Sequence, residues 1–366
     1  MKKVFGNCYL LLLLIALWPK PSAAAHPADS TIKYNENFAG VGPQVYILPP
    51  PKSDEEVLQD RYIDKKNGQL ELDRLISQQE LLKSLRFIDH GRLPFSAALA
   101  AENDKEKQAQ AAVHFYSQQN RIDSAMAWKN HLACLALIKD DKTAARALFT
   151  EVYAHFGQTG DREKELALLN NLAVLEERSE NYAKALTYYD DLLKQARKTK
   201  NLQEEGLLSL SVARIESKLG NFSAAHNLVI KKSFPLLQKT KHYPDVVNAL
   251  NILAAIKESE NKPTEAKWIY LQAIDVANIH RDERGLARSL YNVAELKNRI
   301  GDGALSIADY ELAKEYASKH DMQSLLVEIE DGLGDAYLQS GNYAEAAMAL
   351  NSYNILKGEF ISKQFL

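Results

Sequence analysis

Nine histidines, two cysteines and 48 aspartates and glutamates give this chain the raw material for acid–base, nucleophilic or metal chemistry, so their spacing is the first question. The histidines are His26, His90, His114, His131, His155, His226, His242, His280 and His320. None stands four residues from another, the spacing that sets two imidazoles on one helical face around a metal. Cys8 and Cys134 cannot form a Cys-x-x-Cys clamp, and no cationic group is placed in the sequence to activate Cys134 as a nucleophile. Gly301-Asp302-Gly303 has the look of a phosphate loop but lacks the following Lys-Ser or Lys-Thr. Carboxylate pairs such as Asp190-Asp191 lie beside lysines, as on a solvated helix face. The sequence therefore predicts no enzyme, no metal site and no cofactor.

A second set of residues suits recognition. Amides can bond a peptide backbone, guanidinium groups can fork onto carboxylates, and an aromatic ring can anchor in a pocket. The candidates are Asn130, Asn170, Arg178, Arg214, Lys218, Asn251, Arg288, Tyr291, Glu295, Arg299, Glu328, Asp331 and Asp335. They make a surface that is basic and amide-lined in the middle and acidic at its end. Asn130, Asn170 and Asn251 could instead bond neighbouring helices.

What would position these groups is a repeat. Ala133, Ala173, Ala213, Ala254, Ala294 and Gly334 recur every 40 or 41 residues, and the candidates fall at −6, −3, +1 and +5 from them. Leu132, Leu172, Val212, Leu253, Val293 and Leu333 precede these small residues. Ala145, Ala185, Ala225, Ala266, Ser306 and Ala346 follow at +12, and Phe149, Tyr189, Val229, Tyr270, Tyr310 and Leu350 at +16. Apolar residues three or four apart share a helical face. Between the two stripes stand turn residues such as Gly220-Asn221-Phe222 and Gly341-Asn342-Tyr343. Each unit thus reads as helix, tight turn, helix, and a period near forty predicts a solenoid of stacked pairs. Pro235 falls inside the second helix of the third unit and should kink or end it.

These columns resemble the tetratricopeptide repeat family, in its longer variant of about forty residues. Asn130-His131-Leu132-Ala133, Asn170-Asn171-Leu172-Ala173 and Asn251-Ile252-Leu253-Ala254 carry the likeness, with Ala and Tyr on the second helix. The resemblance implies an all-α, right-handed superhelical solenoid. It also implies a concave groove, lined by the first helices, that holds a protein or peptide partner. The end of the last repeat, from Leu350 through Lys357 to Glu359-Phe360, is similar to the exported arrays of bacterial two-component sensors. That likeness implies an alternative, a sensory module acting on a membrane kinase.

Outside the repeats, Lys2-Lys3, the apolar run Tyr9–Trp18 and Ala23-Ala24-Ala25 read as a secretory signal over residues 1–25. The expected product is exported, periplasmic or extracellular, and not inserted in the membrane. Losing Lys2, Lys3 and Lys20 takes the formal charge from −3 to −6 and leaves Cys134 without a disulfide partner. Nothing in that charge suits nucleic acid. Residues 26–52 read as a Pro-rich linker or arm. Residues 53–120 read as an N-terminal helical cap or diverged repeat, opened by a capping box of Ser53 and Glu56. Six repeats fill 121–361, and 362–366 is a tail. Oligomeric state is not legible.

Overall fold

The computed structural model describes residues 51–67, 69–86 and 105–365; the leader and nearly all of the arm lie outside them. The chain divides into two units, Met1–Arg61 and Tyr62–Leu366. Of the first, residues 51–61 are described and enter helix α1 (Asp54–Asn67). The capping box closes as the sequence suggests: Ser53 N–H donates to Glu56 Oε2 at 2.8 Å, and Glu56 N–H to Ser53 Oγ at 3.2 Å.

The second unit holds the repeats. After α2 (Gln69–Ser84) and α3 (Lys105–Gln118), six helix pairs follow in order. They are α4 (Ile122–Ile138) with α5 (Lys142–Thr159), α6 (Arg162–Arg178) with α7 (Tyr182–Lys198), and α8 (Leu202–Lys218) with a divided second helix. Then come α11 (Tyr243–Ser259) with α12 (Pro263–His280), α13 (Glu283–Arg299) with α14 (Gly303–Lys319), and α15 (Gln323–Gln339) with α16 (Tyr343–Phe365). Among the described residues there is no strand. Each helix packs on the next, and first helices of neighbouring pairs also touch, so the pairs stack in sequence order as an all-α solenoid.

A local rule sets the stacking. A left-handed residue ends every helix from α3 to α15 except α9, which runs on without a break, at Asn120, Asp140, Gly160, Glu180, Lys200, Gly220, Lys241, Asn261, Arg281, Gly301, Asp321 and Gly341. Within each pair the N–H three residues past the helix then reaches back five residues, as from Asn181 to Glu176 O at 2.9 Å and Asn342 to Tyr337 O at 2.9 Å. Caps start several helices: Asp141, Asp161, Asn201 and Asp282 accept the N–H three residues on. The small column packs as its size requires, with Ala133, Ala173, Ala213, Ala254 and Ala294 fully enclosed. The +16 tyrosines are buried too, and each hydroxyl donates to a carboxylate: Tyr189 to Glu177, Tyr270 to Glu258, Tyr310 to Glu295.

The third pair departs from this pattern around Pro235. Its second helix is α9 (Phe222–Asn227), a π-helical turn (Leu228–Ser233) and α10 (Phe234–Thr240). Pro235 sits in the first turn of α10, where a missing N–H is tolerated. The helix neither ends nor breaks; its ladder widens ahead of the ring and then resumes. Buried Ser233 donates its hydroxyl to Gly206 O at 2.9 Å.

Candidate partner-binding groove

The first helices, α4, α6, α8, α11, α13 and α15, carry the candidate residues. The structure places a piece of the same chain against five of them. Of the stretch 53–120, read from sequence as a cap or diverged repeat, α3 packs on α4 of the first pair, while residues 62–86 run from the last pair back to the first. The physical reason lies in their buried faces, which match the acidic end of the groove at one extremity and its amides at the other.

At the acidic end, Tyr62 is buried and donates its hydroxyl to Ala346 O at 2.8 Å, with its ring lying over Gly334. Only glycine fits there, since a Cβ would stand 2.3 Å from Tyr62 Oη. One turn on, Lys65 places its ammonium 2.6 Å from Asp331 Oδ1 and 2.9 Å from Asp335 Oδ1. Gln69 Nε2 donates to Asp331 Oδ2 at 2.7 Å. Leu72, Leu75 and Ile76 of α2 are buried. Arg288 pairs with Glu328 at 3.0 Å and lies 4.0 Å from Glu80 of α2.

Further along, Arg178 Nη1 donates to Ser77 Oγ at 2.6 Å and its Nη2 to Ser77 O at 3.3 Å. Gln78 Nε2 donates to Ile138 O at 2.5 Å, and Leu81 and Leu85 join the apolar cluster of α4, α5 and α6. At the segment's end the asparagines act on backbone. Asn170 Nδ2 donates to Ser84 O at 3.1 Å. Asn171 takes Arg86 from both sides, accepting its N–H at 2.7 Å and donating to its carbonyl at 2.8 Å. Asn130 Oδ1 receives the other Asn171 proton at 3.1 Å, and Arg86 pairs with Glu204.

Five candidates thus meet the segment at their own atoms, Asn170, Arg178, Arg288, Asp331 and Asp335, and Asn130 backs it through Asn171. The others hold different posts. Asn251 bonds Ser289 at 2.9 Å and Asn292 at 3.3 Å, which ties neighbouring pairs together. Arg299 is committed to Glu258 at 2.7 Å, and Arg214 lies 3.6 Å from Glu177. Glu295 accepts from Tyr310 at 2.6 Å, and burial pushes its carboxyl above the usual range. Tyr291 is half-buried with Arg288 over its ring at 5.7 Å, and burial raises its hydroxyl well above 10. It packs as part of the wall rather than standing out as an anchor. Lys218 is exposed above Tyr182. With Glu80, Arg178 and Arg214 it lines a void of about 300 Å³ beside α2.

Asn171, Tyr62, Lys65 and Gln69 escaped the sequence reading. Asn171 falls at −2, outside the columns assigned to the groove, and the Asn170-Asn171 doublet was its one visible signal. Cys134 is enclosed in the core and burial pushes its thiol up to about 12, away from reactivity. Among the described residues no cluster of histidine, cysteine and carboxylate side chains could hold a metal. No described helix is long and apolar enough to cross a membrane.

No family model matches this sequence, and no curated protein matches it. Solved structures do match in architecture. A kinesin light chain from Podosopora anserina with nearly identical TPR-like repeats is 17% identical, covering 53% of this chain and 95% of its own, with a TM-score of 0.43. The apo form of RapI is 12% identical over 71% of this chain and 94% of its own, TM-score 0.49. A Rap protein complexed with competence and sporulation factor is 14% identical over 74% and 79%, TM-score 0.48. At such identities these are likenesses of fold, and the stacked pairs described above carry the architecture by themselves.

Proposed function

We propose that this solenoid of the tetratricopeptide type is an exported, non-catalytic scaffold that holds a segment of a protein or peptide partner against its concave face. One observation carries the reading: the groove already grips a segment, residues 62–86, at positions singled out for recognition. Asn170 and Asn171 contact only backbone there, so their hold does not depend on the guest's side chains. Arg178 likewise takes a carbonyl together with a hydroxyl. The groove-lining charges that pair among themselves, Arg288 with Glu328 and Arg299 with Glu258, set a fixed pattern of sign along the trough.

Export rests on the Lys2-Lys3 start, the apolar run and the small-residue site of the leader. The test uses the full chain as bait on an envelope fraction, with the triple variant Asn170→Ala, Asn171→Ala, Arg178→Glu beside it. Partners held by the native chain should be lost from the variant while its helicity is kept. Equal capture by both chains would remove the concave face from the account.

A further inference from the structure

We propose that residues 62–86 are a built-in occupant of the groove and that Lys65 marks a receptor for a lysine ammonium. The external partner is then a helical segment that presents a lysine to Asp331 and Asp335 and displaces the chain's own. This rests on the groove reading above and adds the chemistry of the guest.

The receptor is built from two helices. Asp331 and Asp335, one turn apart on α15, supply two carboxylates to a single ammonium, so the site without its lysine sets two like charges side by side. Aromatic faces complete it: the Lys65 ammonium lies 5.6 Å from the ring centroid of Tyr353 on α16 and 4.6 Å from that of Tyr62. The Lys65 side chain is 2% exposed, so the ammonium has given up its water for these groups. Burial first, and then the nearby carboxylates (Asp335 and Asp331 at Tyr62; Asp331, Asp73 and Asp335 at Tyr353), raise both hydroxyls and keep them neutral.

The native occupant does not use everything the site offers. Tyr353 is 1% exposed and its hydroxyl has no hydrogen-bond partner. A tethered segment needs less intrinsic affinity than a free one, because its local concentration is in the millimolar range. An occupant that leaves a buried donor unanswered is suited to being exchanged, and a guest that answers Tyr353 gains over it. At the other end Asn171 holds backbone alone, so the same clamp serves any chain that leaves the helix extended.

The test uses the full chain carrying Tyr62→Ala and Lys65→Gln, and labelled synthetic peptides of residues 58–88 as probes. Amide exchange over 69–84 should rise at least tenfold in the variant, with overall helicity kept. The released variant should bind the native-sequence peptide at least tenfold tighter than the unaltered chain does. A peptide with glutamine in place of the lysine should bind it at least tenfold more weakly, and adding Asp331→Asn and Asp335→Asn should erase that difference. Unchanged amide protection, or free exchange with neither peptide bound, would overturn the built-in occupant. Equal binding of the two peptides would overturn the lysine receptor. Envelope partners play no part in this assay: loss of capture with the groove triple variant speaks to the scaffold, and the peptides speak to the lysine.

Discussion

Gly334→Ala should loosen the docked segment while making its own helix better, a pair of opposite effects that few other positions could give. Gly334 lies in the interior of α15, where alanine is favoured over glycine by about 1 kcal/mol. A methyl group there would stand 2.3 Å from Tyr62 Oη and 3.2 Å from two ring carbons, so the tyrosine must move. Moving it forfeits the buried hydrogen bond to Ala346 O, a net loss of about 1 kcal/mol. Withdrawing part of the ring from the groove costs about another 1 kcal/mol. Docking of residues 62–86 should therefore weaken by about 2 kcal/mol, roughly 30-fold in the open population. Hydrogen exchange read by mass spectrometry reports it: amides of α2 should lose about 30-fold protection while those of α13 and α15 keep theirs or gain. In a Tyr62→Ala background the same Gly334→Ala change should turn stabilising by about 1 kcal/mol. Unaltered α2 protection, or the same sign in both backgrounds, would refute the reasoning.

Three further outcomes follow from other parts of the molecule. Glu176 is fully buried; burial alone would raise its carboxyl, but hydrogen bonds from Arg146, Asn181 and Lys184 outweigh that and hold it at about 2. Because this value is depressed, its contribution is complete above about pH 4.5 and is lost as the pH falls toward 2. The drop is equivalent to about 3 kcal/mol, nearer 1–2 kcal/mol once water around Arg146 and Lys184 is allowed for. Urea titrations should show Glu176→Gln less stable at pH 7 and the gap to the native chain closing below pH 3. Gly206→Ala would drive a methyl to 2.6 Å from Leu237 Cδ2, so it should cost about 1–3 kcal/mol in urea unfolding and expose the π-helical turn to exchange first. Lys200→Gly relieves a left-handed lysine at φ 55° and should add about 0.5–1 kcal/mol by the same measurement.

The solenoid could be read because its determinants are local and repeated. A small residue at the close approach, an aromatic or aliphatic side chain four residues past the second small one, and a left-handed break before each second helix state the same instruction six times. Even Glu180, a poor residue for a positive φ, adopts it because the column imposes it. Register alone set Asn170 and Arg178 on the first-helix face that meets residues 77–84. The occupant could not, since Tyr62 meets Ala346 across 284 positions and Lys65 meets Asp335 across 270, with no periodicity linking them. Leu72, Leu75 and Ile76 make an amphipathic helix whose pattern says that one face is covered, but not by what. The setting of Tyr291 was hidden for a related reason: register gives its face of the helix, while its packing under Arg288 depends on a side chain from the turn before.

Lys65 and its two carboxylates also permit the most direct examination of the groove. A carbodiimide that joins amines to carboxylates without a spacer should link Lys65 to Asp331 or Asp335 in the unaltered chain, as it links the internal reference pair Lys297 and Asp309. The account predicts that both crosslinked peptides appear together and that the first vanishes with Lys65→Gln. Recovery of the reference pair with no product from Lys65 to α15 would contradict it.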